Sequence, residues 1–157
     1  MTEDLVTMYT DGAARGNPGP GGYGVVLLYK GHRKELSAGY RLTTNNRMEL
    51  LAVIAGLEAL KRKDLKIKVY SDSKYVVETV SRGWIWNWEA KRFKNRKNPD
   101  LWKRYIQLHR MFNIEFVWVK GHANIPENER CDQLAVDASL QQNLLTDVGY
   151  EQENESF

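Results

Sequence analysis

The sequence predicts an α/β domain: a mixed five-stranded sheet, part antiparallel meander and part parallel, flanked by helices. Three observations predict it. Three β-rich runs follow one another near the start, joined by short glycine-containing turns that suit antiparallel neighbours. A strongly periodic apolar helix then leads directly into a fourth strand, the order of a crossover to a parallel neighbour. Beyond it, helix, strand and helix patterns alternate again.

Leu5 to Thr10 reads as the first strand, ending at Asp11. Gly16 to Gly22 (Gly-Asn-Pro-Gly-Pro-Gly-Gly) is a turn, Tyr23 to Tyr29 the second strand, Lys30-Gly31-His32 a turn, and Glu35 to Leu42 the third strand. Asn46 to Lys61 is the clearest helix, with Leu50, Val53, Ile54, Leu57 and Leu60 at helical spacing. Asn46 and Glu49 resemble a capping box. Ala52, Ala55, Gly56 and Ala59 form a small-residue strip suited to close packing on a sheet. Lys66 to Ser71 alternates as a strand that ends at Asp72, and Ser73 to Val80 is helical. A tryptophan-rich basic stretch follows, then a helix from Asp100 to Met111 and the last strand from Ile114 to Val119. After the Lys120 to Asn124 loop, Asn124 with Glu127 gives a second cap-like pair, and Pro126 opens a helix that runs to about Leu140. Residues 1–142 read as the domain and 143–157 as an acidic, flexible tail.

The 157 residues are 42% hydrophobic and 27% charged, the balance of one globular domain. No apolar run approaches the ~20 residues of a membrane span. Met1-Thr2-Glu3-Asp4 has neither the basic start nor the apolar core of a signal peptide, so a cytoplasmic protein is expected. Cys131 is the single cysteine, which excludes an internal disulfide and a cysteine zinc cluster; it reads as a small buried hydrophobe. The formal net charge is only +3, yet Arg82 to Arg104 holds eight basic and two acidic residues. Such a block points to a polyanionic partner. Nothing indicates an obligate protein partner, and a monomer is expected. His32 and His109 read as surface residues.

Four acidic residues converge in this scheme. Asp11 and Asp72 each close a predicted strand, and parallel neighbours bring both to the carboxyl edge of the sheet. Glu49, in the first turn of its helix, and Asp132, in the first two turns of the last helix, start from elements that point at the same edge. Singly, such residues serve turns or complement helix dipoles. Together they repel one another unless a cation neutralises them. Oxygen ligands without Cys or paired His suit Mg²⁺, or Mn²⁺ in its place. Two such ions about 4 Å apart activate a water and stabilise the leaving oxygen of a phosphodiester.

Several stretches sharpen this reading: Tyr9-Thr10-Asp11-Gly12, Gly16 to Gly24, Thr43-Thr44-Asn45-Asn46-Arg47-Met48-Glu49-Leu50, Ser71-Asp72-Ser73, Trp118 to Ala123, and Pro126 to Asp132. In that order they closely resemble the bacterial type 1 ribonuclease H family, from Met8 to about Tyr150. The resemblance implies the ribonuclease H-like fold and endonucleolytic hydrolysis of the RNA strand of RNA–DNA hybrids. It also implies a two-metal-ion mechanism that leaves 5′-phosphate and 3′-hydroxyl ends. It makes Asp11, Glu49, Asp72 and Asp132 the metal-binding carboxylates, with His122 assisting proton transfer or product release from a mobile loop. Asn17, Asn45, Asn46 and the backbone of Gly12 fall where 2′-hydroxyls, absent from DNA, are contacted. Amides both donate and accept, as a hydroxyl requires; helix capping by Asn45 and Asn46 is compatible with this.

By the same resemblance Thr44 and Asn98 hold a DNA phosphate, and the basic segment rides on the DNA strand. Trp88 lines that channel, with Lys91, Arg92 and Lys94 attracting phosphate. Trp84 belongs to the same segment, although a large aromatic there, like Trp102, suits core packing. The sequence departs from the family at Leu42, where an Arg is frequent, at Lys74, where close relatives carry Gln, and at Glu89-Ala90, where Lys-Lys is frequent. Two alternatives compete with this reading: a hybrid-binding module that does not cleave, and a DNA-processing nuclease of the same superfamily. The four acids argue against the first, the Asn-Asn-Arg-Met-Glu segment against the second. No glycine-rich loop with Lys-Ser/Thr supports a nucleotide-dependent protein.

Overall fold

In the computed structural model, which describes residues 4–121 and 124–155, the chain opens with three strands, β1 (Leu5–Ala14), β2 (Gly19–Tyr29) and β3 (His32–Thr43). Next come α1 (Asn45–Glu58), β4 (Lys66–Ser71), α2 (Lys74–Ser81), α3 (Trp84–Ala90) and α4 (Pro99–His109). The chain continues with β5 (Asn113–Trp118), α5 (Pro126–Ser139) and α6 (Val148–Glu155). The strands form one sheet in the order β3-β2-β1-β4-β5. β1–β2 and β2–β3 are antiparallel, while β4 runs parallel to β1 and β5 parallel to β4. This is the expected mixed five-stranded α/β architecture. Among the described residues no helix is long and apolar enough to cross a membrane.

Alternation along the strands creates two apolar faces. Val6, Met8, Val25, Ile67 and Val69 are buried in one core with Leu50, Val53, Ile54 and Leu57 of α1, and with Trp102, Tyr105 and Ile106 of α4. Close approach explains why α1 carries small residues: a Cβ on Gly56 would collide with Met8 Sδ. On the opposite face, a Cβ on Gly24 would strike the Cys131 carbonyl of α5. Cys131 is itself fully buried, its Sγ donating to Tyr9 O at 3.2 Å, and burial pushes its thiol up to about 12.

The structure corrects several boundaries and their causes. β1 does not end at Asp11: parallel pairing with β4 stops at Tyr9, but antiparallel pairing with β2 carries β1 on to Ala14, with Asp11 opposite Gly24. Helix α1 is capped by Thr44, whose side chain accepts from Arg47 N, not by Asn46 with Glu49; Glu49 therefore lies in the second turn. Ile125 holds the N-cap of α5 without a side-chain bond, so Asn124 and Glu127 form no capping pair. His109 is half-buried, its Nδ1 2.9 Å from the Tyr105 hydroxyl and its ring against Trp86.

Residues 143–155 differ most from expectation. In place of a flexible tail they dock on the domain. Leu145 bridges to β3, donating to Gly39 O and accepting from Arg41 N, both at 2.9 Å. Asp147 is 6% exposed and accepts from Thr43 Oγ1 at 2.7 Å and from Arg47. Its buried carboxylate satisfies a guanidinium that is itself only 1% exposed, which is why this acidic stretch folds back onto the domain.

Candidate active site

Asp11 and Asp72 lie two residues beyond the last parallel pair, Tyr9 with Tyr70, and so arrive together at one edge of the sheet. Glu49 enters from α1. It comes close because Gly12 has no side chain: a Cβ there would collide with the Met48 carbonyl and the Glu49 amide. One carboxylate oxygen from each of Asp11, Glu49 and Asp72 lies within 4.8 Å of the others. Asp132 lines the same cavity of about 450 Å³ from α5 but stands outside that close group. Gly12, Asn45, Asn46, Lys74 and Asn128 also line it.

The cluster is electrostatically unsatisfied. Burial, then the Asp72 and Asp132 charges, push the Asp11 carboxyl up to about 7, against the lowering effect of the Gly12 N–H that donates to Asp11 Oδ1 at 2.9 Å. Burial, then Asp11 and Asp72, hold Glu49 well above the usual carboxylate range. Glu49 Oε1 is buried and has no hydrogen-bond partner among the described residues. Crowded carboxylates with an orphaned oxygen form an all-oxygen donor set, which fits a hard divalent cation. The Trp118 indole donates to the Asp72 carbonyl at 3.1 Å and so fixes the loop that carries this acid.

Most of the residues expected to meet nucleic acid gather around a second cavity and an open groove. Asn17, Thr44 and Asn98, from separate segments, line a second cavity of about 420 Å³, with Asn45 and Asn46 between it and the acidic one. A short relay positions Asn45 and Asn17: the Ala14 amide donates to Asn45 Oδ1 at 2.6 Å, and the Asn45 amide to Asn17 Oδ1 at 3.0 Å. Trp88, Lys91 and Lys94 line an open groove of about 700 Å³ with Asn87, Asn95 and Arg96. The Arg96 guanidinium sits 4.6 Å from the Trp88 ring centre. This segment turns sharply: Arg92, Phe93, Asn95 and Asn98 all have positive φ, and buried Phe93 anchors it.

Two expected contacts are not brought to that groove. Arg92 lines a separate depression with Phe93 and Ile106. Trp84 is 44% exposed and stacks with Arg82, so it is not a core residue either, whereas Trp102 is fully buried. His122 lies outside the described residues. Lys74 stacks on Trp118 at 5.0 Å, and Glu89 pairs with Arg110 at 2.9 Å. Local pattern does not single out Arg47, which the sequence shows only as part of the Thr43–Leu50 stretch, or Tyr150 and Glu153, which fall near or within the acidic tail. Arg96 belongs to the basic block in sequence and joins Trp88 in the groove.

Residues 3–140 match the family model described as RNase H. Ribonuclease H of Desulforamulus reducens is 62% identical over 148 residues, 91% of this chain and 92% of that protein. Among solved structures, LC9-RNase H1, a type 1 RNase H with the type 2 active-site motif, superposes with a TM-score of 0.79 at 32% identity, covering 99% of this chain and 83% of that one. LC11-RNase H1, solved in complex with RNA/DNA hybrid, superposes with a TM-score of 0.64 at 30% identity over 85% of this chain and 95% of that one. With this similarity along nearly its whole length, and with the acidic cluster at the edge of the sheet, the chain belongs to the ribonuclease H family of enzymes.

Proposed function

We propose that this protein hydrolyses the RNA strand of RNA–DNA hybrids endonucleolytically, using two divalent ions, and leaves 5′-phosphate and 3′-hydroxyl ends. The observation that carries the reading is the Asp11–Glu49–Asp72 cluster, in which one oxygen from each residue lies within 4.8 Å of the others, in a chain similar to an enzyme crystallised with RNA/DNA hybrid. Asp11, Glu49 and Asp72 hold Mg²⁺, with Asp132 at the rim of the same cavity; Mn²⁺ fits the same oxygen donors. When bound, such ions supply an activated water and stabilise the leaving oxygen. His122, which precedes α5 in the sequence, assists proton transfer or product departure.

The chain's own residues choose the strand. Asn45 and Asn46, between the two cavities, contact 2′-hydroxyls of the RNA together with Asn17 and the Gly12 backbone. Thr44 and Asn98 take a DNA phosphate in the second cavity. Trp88, Lys91 and Lys94 follow the DNA strand along the open groove. A cytoplasmic monomer that needs no protein partner is the matching cellular form.

The test is Asp11→Asn. Hydrolysis of a hybrid falls by at least three orders of magnitude while hybrid binding persists within a few-fold, because the change removes a charge at the reaction centre and keeps the side chain's shape. Cleavage at the wild-type rate contradicts the assignment.

A further inference from the structure

The second cavity has a wall that the family motifs do not supply. Asn17, Thr44, Lys97 and Asn98 line it together with Tyr150 and Glu153 of α6. That helix is fastened there. Asp147, immediately before it, accepts from Arg47 Nε and Nη2 at 2.8 Å each, and Tyr150 N donates to Asp147 Oδ1 at 3.3 Å. Glu151 accepts from Arg41 at 2.7 and 2.9 Å. Arg47 also donates through Nη1 to Asn98 Oδ1 at 3.3 Å, so one buried guanidinium ties the segment before α6 to another residue that lines the cavity.

The chemistry of the walls is unequal. Lys97, Asn17, Thr44 and Asn98 offer an ammonium, amides and a hydroxyl, a set that receives a phosphate. Glu153 brings a carboxylate to the same cavity, and like charges repel. We infer that α6 is part of the nucleic-acid-binding surface and that Glu153 is an affinity-limiting residue, weakening the hold on a backbone phosphate seated between Thr44 and Asn98. The inference rests on the proposed function in taking the anion to be a phosphate of the hybrid's DNA strand. A weakened grip favours release of cut hybrid over its retention.

The experiment measures the dissociation constant of a labelled RNA–DNA hybrid by anisotropy, in chelator so that turnover is not needed, at low and at high salt. Glu153→Gln tightens binding about two- to fivefold at low salt, the range for an exposed charge pair, and the gain shrinks as salt screens it. Glu115→Gln on β5, an exposed residue at the opposite edge of the sheet from α6, makes the same change in net charge. It controls for long-range charge and stays near wild type. Equal affinities for the Glu153→Gln and Glu115→Gln proteins, or weaker binding by the former, overturn the inference. Tight binding of hybrid without cleavage in Mg²⁺ contradicts the proposed hydrolysis and leaves the role of Glu153 to stand or fall on the affinities. Absence of hybrid binding by all three proteins overturns both.

Discussion

Arg47 grips Asp147, one hundred residues further along the chain, through Nε and Nη2, each 2.8 Å from a different carboxylate oxygen. Its other donors reach Asp100 at 2.7 and 2.9 Å and Asn98 Oδ1 at 3.3 Å. Arg47 and Asp147 are 1% and 6% exposed. Removing one partner of such a pair leaves an uncompensated buried charge. Arg47→Met therefore lowers stability by roughly 3–5 kcal/mol, a fall in Tm of about 10 °C for a domain of this size. Thermal unfolding followed by circular dichroism checks this. A loss under about 1 kcal/mol, the range of a surface ion pair, contradicts it.

Asp100 links the same network to pH. Burial raises its pKa, but the hydrogen bonds and charge of Arg47 outweigh burial, and the net shift is downward. A carboxyl depressed in the folded state stabilises above its unfolded pKa, and that contribution is lost as pH falls through the folded value. Unfolding titrated from pH 6 towards pH 2 shows a shallower acid decline in Arg47→Met than in wild type, because the variant has already lost this linkage.

The acidic cluster has the opposite sign. Asp11 is raised from 3.8 to about 7 when no ion is bound, and Glu49 is raised as well. A raised carboxyl contributes stability below its unfolded pKa and loses it as pH rises through the folded value. In chelator the wild-type Tm declines between about pH 4 and 7 through this contribution. Saturating Mg²⁺ reverses the decline, and Asp11→Asn flattens it. Calorimetry across this range, with and without Mg²⁺, decides; a Tm insensitive to the ion at pH 8 contradicts a cation site here.

Gly12 joins the fold to the site. Any side chain there meets the backbone of Met48 and Glu49, and backbone yields less than a flexible side chain. Gly12→Ala costs about 1–3 kcal/mol through overpacking, and it lowers kcat more than it raises KM because it displaces Glu49 from Asp11. Unchanged kcat in a folded Gly12→Ala protein argues against that coupling.

On the groove side, Trp88 stacks with Arg96 and packs at its inner edge on the buried Trp102. Trp88→Ala raises the KM for hybrid by about tenfold, as expected for losing one stacking platform. The effect on kcat is small, since the cluster is untouched. A KM within twofold of wild type places the DNA strand elsewhere.

The strands, the main helices and much of the acidic set were legible because local patterns specify them: alternation in Lys66–Ser71, helical spacing from Leu50 to Leu57, and Asp72 directly after a strand. What stayed hidden depends on partners distant in sequence. Asp147 reads as a solvated tail residue until Arg47 is seen beneath it. The Thr44 cap differs from an Asn46 cap only in where the backbone leaves β3. Trp84 and Trp102 look alike as residues, yet α4 buries Trp102 beside Tyr105 and Ile106 while α3 leaves Trp84 facing outward beside Arg82. Asp11 belongs to a strand that outlasts its parallel neighbour, because the partner that extends it is β2, on its other side.

The measurement that bears most directly on the account is a gel assay of purified protein on matched RNA–DNA hybrid, double-stranded RNA, single-stranded RNA and duplex DNA, each with Mg²⁺ and with chelator. The predicted result is cleavage of the RNA strand of the hybrid alone, only with Mg²⁺, with 5′-phosphate on the fragments. Cleavage of duplex DNA, or of hybrid in the presence of chelator, contradicts it.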